Sequence, residues 1–160
     1  MGHNIGRQMK SHQFTGVAGV HFVASYISFL QFHAVPTTRN VGGPDLLVSS
    51  LDGFKSLTIQ VKTAKWASRT RGRGKDKEPH HLEWDVGPKS RKLNNPNLWY
   101  AFVDLKYFEE LPDIFIVPSK VVFDYFYHRS WSRFRYHPLL AEVEAYKNEN
   151  GWKRLKRALK

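Results

Sequence analysis

The chain has 160 residues, enough for one domain with a real core. Hydrophobic residues make up 41% and aromatics 14%, which excludes a disordered chain, and no apolar run approaches the ~20 residues of a membrane span. Cysteine is absent, which excludes a disulfide framework and a thiolate zinc site, while a net charge of +11 and a pI of about 10.0 point to a polyanion as partner, most simply nucleic acid.

Residues 1–14 are polar and basic and read as a loose arm. Met1–Lys10 lacks the apolar core of a signal peptide, and with the missing cysteine this gives a cytoplasmic expectation and no membrane partner. Thr15 can cap a helix running to about His33. Its apolar positions Val20, Val23, Ala24, Ile27 and Leu30 form a broad stripe, so the helix is an interior one. Ala34–Thr38 reads as a short strand, with Pro36 marking an edge. A glycine-rich turn over Asn40–Pro44 then delivers Asp45.

The stretch from Gly43 to Thr63 carries the most information. A short apolar run, 45–50, is followed by Leu51-Asp52-Gly53-Phe54 and then by a segment, 56–64, that alternates. Leu57, Ile59 and Val61 point one way; Thr58, Gln60 and Lys62 point the other. Asp52-Gly53 is a hairpin signal for a two-residue loop with positive φ at both positions. That loop pairs Leu51 with Phe54 and, counting back, Asp45 with Gln60. Residues directly opposite share a face with Cβ atoms roughly 5 Å apart, and Lys62 lies diagonally beyond. A carboxylate, an amide and an ammonium therefore converge at one end of a hairpin whose other face is core. An ordinary Asp–Lys cross-strand pair is the plain reading of the same three residues.

Residues 65–97 change character, with nine basic residues against four acidic ones. Arg69 and Lys75 flank Arg71-Gly72-Arg73-Gly74, which has no apolar anchor. The segment is expected to be a mobile, DNA-contacting loop that orders on binding. Segments 98–105 and 113–117 read as buried strands. Pro118 begins a helix with Val121, Val122, Tyr125 and Phe126 inward. From His128 to His137 basic and aromatic residues interleave, including Arg129 and Arg133. That mixture suits phosphate contacts with stacking, and equally a cap whose aromatics pack on the sheet. The last stretch, 139–159, holds one or two short helices. Trp152, Leu155 and Leu159 dock the final one and leave Lys153 and Arg157 outward.

Other motifs carry less. His12, His21, His33 and the pair His80-His81 match no tetrahedral zinc spacing. The glycines at 16, 19, 42 and 43 lack the Gly-Lys-Ser/Thr of a phosphate loop, and no nucleophile elbow occurs.

Pro44-Asp45 followed by Gln60-Val61-Lys62 resembles the signature of the PD-(D/E)xK nuclease superfamily, which includes restriction endonucleases and archaeal Holliday-junction resolvases. The resemblance extends over roughly residues 15–122. Thr15-Gly16-Val17-Ala18-Gly19 looks like the opening helix of that family, Ile59–Thr63 like its small bacterial members, and Pro118-Ser119-Lys120-Val121-Val122 like its helix entry. Two positions depart from the pattern. Gln60 stands where an acid is usual, and Val20 stands where many members carry Glu after the helix glycine. Glu83, Asp85, Asp104 and Glu109 are candidates to replace the missing acid.

The resemblance implies an α/β domain with a mixed central sheet flanked by helices. It implies DNA binding with phosphodiester cleavage dependent on Mg²⁺ or Mn²⁺. Asp45, Gln60 and the Val61 carbonyl would hold the metal, and Lys62 would serve the attacking water. Arg69, Arg71, Arg73, Lys75, Arg129, Arg133, Lys153 and Arg157 would hold the nucleic acid, duplex DNA first. A catalytically inactive nucleic-acid-binding module on the same scaffold is the alternative reading, and an RNA-binding accessory protein is a third. Self-association into a homodimer is left open.

Overall fold

The computed structural model describes residues 3–37, 43–129 and 134–160, with side chains from residue 12 onward. The first helix, α1 (His3–Phe29), starts twelve residues ahead of the expected cap at Thr15, which is instead a buried mid-helix residue. At about 1.5 Å per residue its 27 residues span roughly 40 Å. It also ends earlier than expected. Gln31 takes φ 65°, its N–H donates to the Ser28 carbonyl, and the Phe32 N–H donates to the Ile27 carbonyl. This pair of bonds is a Schellman closure, with Gln where Gly is commoner.

Five strands form the central sheet: β1 (His33–Pro36), β2 (Leu46–Ser49), β3 (Ser56–Ala64), and, after the crossover, Leu98–Asp104 and Asp113–Pro118. Their expected positions hold to within one or two residues. Between β3 and the fourth central strand lie β4 (Ser68–Arg71), β5 (Glu78–Leu82) and the short β6 (Trp84–Asp85). The two later central strands are therefore β7 (Leu98–Asp104) and β8 (Asp113–Pro118). They are followed by α2 (Ser119–Tyr127), β9 (Arg135–Tyr136), α3 (Leu140–Val143) and α4 (Asn148–Ala158). The sheet order is β1-β2-β3-β7-β8. Pairs β1–β2, β2–β3 and β7–β8 are antiparallel, and β3–β7 is parallel. The chain is thus α/β, with a mixed five-stranded central sheet and, among the described residues, four α-helices.

Both sheet faces are covered. On the first, Leu57, Ile59 and Val61 of β3 meet Val20, Val23 and Ile27 of α1 and Trp152, Leu155 and Leu159 of α4. The close approach of α1 depends on Gly19, because a Cβ there would lie 1.9 Å from Thr63 Oγ1. On the second face, Tyr100, Phe102, Phe115 and Val117 pack under Trp84, Val122, Phe126 and Tyr136. This second core stops at β3, whose residues there are polar: Gln60 lies beside Tyr100 and Lys62 beside Phe102. The hairpin's expected buried face is the one against α1. Its polar row, only partly buried, also forms the rim of a second core.

The expected loop 65–97 is likewise corrected. A parallel pair needs a long crossover, commonly helical. Here it is a β4–β5 hairpin, the β6 strand paired with β9, and a 3₁₀ turn at Pro88–Arg91. It is anchored to β7 by the Ala67 N–H on Asp104 Oδ1 at 3.0 Å and the Trp84 indole N–H on the Val103 carbonyl at 3.0 Å.

Candidate phosphodiester site and basic cleft

Strand register brings Asp45 to Gln60 as expected. Leu46 pairs with Ile59 and Ser49 with Ser56, so the next residue outward, Asp45, lies across from Gln60. The turn that sets this register differs from the expected one. It is a four-residue loop, 51–54, closed by the Ser50 N–H on the Lys55 carbonyl at 2.9 Å. Of the two central residues only Gly53 has positive φ, at 74°. Asp52 instead uses its carboxylate, accepting from Ser50 Oγ at 2.5 Å and from the Phe54 N–H at 3.1 Å. Two- and four-residue loops share parity, so every side chain keeps its face.

The Asp45 backbone is stitched to both neighbouring strands. Its N–H donates to the Ile59 carbonyl at 2.9 Å, and its carbonyl accepts the Thr37 N–H at 3.0 Å. Its side chain turns to β3. Oδ2 accepts the Gln60 Nε2 amide and, at 2.8 Å, the Val61 N–H. A strand residue sends its N–H and C=O to the same edge, so the Val61 carbonyl also faces this side. Asp45, Gln60 and Val61 are therefore brought together.

Lys62 points away from the α1 core, beside Gln60. Burial lowers its ammonium below the ordinary lysine range, and the charges of Asp45 and Asp85 only partly counter that. Among the described residues it makes no ion pair. Asp85 is the one replacement candidate with an influence here, and Arg135 holds it at 3.1 Å. Glu83 is engaged by Arg135 at 3.1 Å. Asp104 is buried, which raises its carboxyl above the usual range although the Ala67 and Lys106 N–H groups pull it down. Glu109 is exposed on the β7–β8 connection.

Mg²⁺ and Mn²⁺ prefer several oxygen ligands with carboxylates among them. Here one carboxylate is present. Its Oδ2 already accepts two N–H groups, Gln60 turns its NH₂ end toward it, and Lys62 adds a like charge for any cation. Among the described residues no three His, Asp or Glu side chains stand together as a metal set. The residues present do not fit a divalent ion. Val20 borders a small cavity of about 250 Å³ shared with Val17, His21, Thr37 and Asp45. His21 is exposed at its edge.

On the other side of Gln60 and Lys62 opens a larger cleft of about 550 Å³. Its floor is the polar row of β3 with Leu98 and Tyr100 of β7, and its roof is the 86–95 segment. Sequence reasoning missed the roof altogether. Tyr100 enters only through the parallel register of β3 with β7, and Ser90, Lys89 and Asn95 had no local signal.

The basic residues separate into two groups. Arg69 donates to the Trp66 and Ser68 carbonyls at 2.9 and 3.0 Å and pairs with Glu83 at 3.6 Å. Arg129 lies over the Tyr125 ring at 4.0 Å and donates to the Tyr125 carbonyl at 3.2 Å. Lys153 pairs with Glu149 at 2.9 Å on the surface of α4. These three are largely taken up by the chain itself. Arg71, Arg73 and Lys75 are exposed on the β4–β5 hairpin without an ion pair among the described residues, and Arg157 is exposed on α4. Arg133 lies outside the described residues. Around it, Phe134 and Tyr136 pack into the second core, and Arg135 binds Glu83 and Asp85. For the described part of 128–137 the capping role holds.

His80 and His81 have their Nδ1 atoms 3.1 Å apart, and the His81 ring lies 5.5 Å from that of His137. Burial lowers both His81 and His137, and neighbouring imidazoles add to it. Among the described residues no helix is long and apolar enough to cross a membrane. Comparison with protein-family models, with curated proteins and with solved structures finds no match to this chain.

Proposed function

We propose that this chain is a nucleic-acid-binding domain of restriction-endonuclease-like type, with duplex DNA as its partner, and that Gln60 and Lys62 hold a phosphate of the backbone. The observation that carries this is Lys62: a half-buried ammonium that makes no ion pair among the described residues, at the end of a cleft that has two lysines and no acid among its lining residues. A structural lysine normally finds a carboxylate, so an unpaired one beside an open cleft suits an anion from outside. Arg71, Arg73 and Lys75 of the β4–β5 hairpin, which follows β3 in the chain, are exposed and make no ion pair among the described residues, and they extend the basic surface. The net charge of +11 supports the same partner.

A second reading, phosphodiester hydrolysis at the same residues, is favoured by the convergence of Asp45, Gln60, Val61 and Lys62. The donor set argues against it. Two titrations decide. Duplex DNA should bind with a steep salt dependence, and replacing Arg71, Arg73 and Lys75 by Ala should flatten the log–log slope by up to about 0.9 for each lost contact. Duplex RNA of the same sequence should bind more weakly. In calorimetry Mn²⁺ should leave the native chain silent and bind Gln60→Glu, which restores a second carboxylate. Mn²⁺ binding to the native chain that disappears in Asp45→Ala, together with DNA cleavage, would move the conclusion to the enzyme.

A further inference from the structure

The cleft beside Lys62 is more than a phosphate contact needs. A phosphate held by ammonium groups requires only a shallow basic surface. This cleft has about 550 Å³ of volume, inside the ~300–1,000 Å³ common for pockets that enclose an organic ligand. Leu93, Leu98 and Val86 give it apolar walls, and the Tyr100 ring closes its floor. Lys62 and Lys89 supply positive charge, and Gln60, Thr58 and Asn95 supply neutral hydrogen-bonding groups. The ligand this describes is flat or apolar in its body, polar at its edge and negatively charged at one end.

The cleft is also built in advance. Tyr100 Oη donates to Ser90 Oγ at 3.2 Å, and Ser90 Oγ donates to the Val86 carbonyl at 3.2 Å, so the roof is tied to the floor at its start. At its other end the Asn95 N–H donates to Ser119 Oγ at 3.0 Å, and Ser119 Oγ donates back to the Asn95 carbonyl at 2.6 Å. Between them Arg91 reaches the Arg129 carbonyl at 3.0 Å. Ser90 and Ser119 are both buried. A roof fixed to β7, to the start of α2 and to Arg129 just beyond α2 holds a slot of set width, which lowers the ordering cost of a rigid ligand.

We propose that this cleft receives a single unstacked nucleotide, its base between the apolar walls and its phosphate at Lys62 and Lys89. The proposal rests on the nucleic-acid reading above and deepens it. A base paired within a duplex cannot enter, so the preferred form is DNA carrying one extrahelical nucleotide, for which the unstacking cost is already met. Enclosure of one base should raise affinity about tenfold to a hundredfold over the fully paired duplex.

The test uses the full chain and two labelled duplexes, one fully paired and one with a single extrahelical 2-aminopurine, followed by anisotropy and by 2-aminopurine emission. The expected result is at least about tenfold tighter binding of the bulged duplex, with a change in emission on binding. Leu93→Trp, which fills the cleft, should bring the two affinities together. Lys89→Glu, an exposed change that leaves packing alone, should weaken the bulged duplex more than the paired one, and it keeps the test decisive if Leu93→Trp fails to fold. Deoxynucleoside monophosphate should compete weakly for the native chain and not for Leu93→Trp. Equal binding of the two duplexes by the native chain overturns the cleft proposal and leaves the nucleic-acid reading standing. Binding of neither duplex overturns both. Binding of the free monophosphate alone overturns the strand-held form and makes the cleft a small-nucleotide site.

Discussion

Two of the places where aspartate and lysine stand near each other, at Asp113 and at Asp45, differ in how the lysine is satisfied. At the start of β8, Asp113 accepts Lys106 at 3.0 Å, Lys147 at 3.2 Å and the Asn148 amide at 2.9 Å. Burial alone would raise the Asp113 carboxyl, but these bonds hold it below the usual carboxylate range. Burial would likewise lower Lys106, but the bonds from Asp113 and Glu110 leave it raised. At the end of β2, Asp45 Oδ2 accepts two N–H groups, and Lys62 stays lowered, with no ion pair among the described residues. The same residue types therefore do two jobs. The Asp113 cluster stabilises the fold; Lys62 lies beside the cleft, where we propose an anion binds.

The largest effect expected from this contrast is at the Asp113 cluster. Asp113→Ala strips two ammonium groups and an amide of their acceptor and should cost about 2–3 kcal/mol in urea unfolding, without changing the DNA affinity of the folded fraction. A loss below about 1 kcal/mol would mean that water replaces the carboxylate and that the cluster contributes little. At Lys62 the effects should be reversed. Lys62→Met should lower duplex affinity about tenfold, as loss of one charge-assisted contact does, while the urea midpoint holds or rises. A clear fall in stability would show Lys62 to be structural.

The smallest effect is the pH dependence, and its sign separates the two lysines. Lys62 has a folded pKa below its unfolded value, so as pH rises toward 10.5 the folded chain loses that proton first and stability gains. Lys106 has a folded pKa above its unfolded value, so its contribution is complete below 10.5 and is lost as pH rises through the folded value. Lys62→Met should therefore remove an alkaline gain, and Lys106→Met should remove an alkaline loss. Thermal melts across the alkaline range that shift in the same direction for both variants would contradict the contrast.

Much of this was legible before any coordinates. The five central strands and the opposition of Asp45 to Gln60 follow from alternation and from one short turn. Even the wrong turn type left the register intact, because two- and four-residue loops have the same parity. The α1 boundaries were not legible: Thr15 looked like a cap, but a buried face from Val20 onward carries the helix through it. Among the charges, Arg69, Arg71 and Arg73 look alike in sequence. Only the position of Glu83 across the hairpin separates the engaged Arg69 from the exposed pair.

The division has a physical cause. Period-two patterning and a glycine at positive φ are local, so the sequence by itself determined the sheet, the face on which Gln60 and Lys62 stand, and the excess of positive charge. The cleft, the folded 65–97 crossover and the pairing state of each cation rest on contacts such as Tyr100 with Ser90, Asn95 with Ser119 and Arg135 with Glu83. The members of the last two pairs lie 24 and 52 residues apart in the chain, where no local rule reaches, and only the packed tertiary structure decides which of them meet.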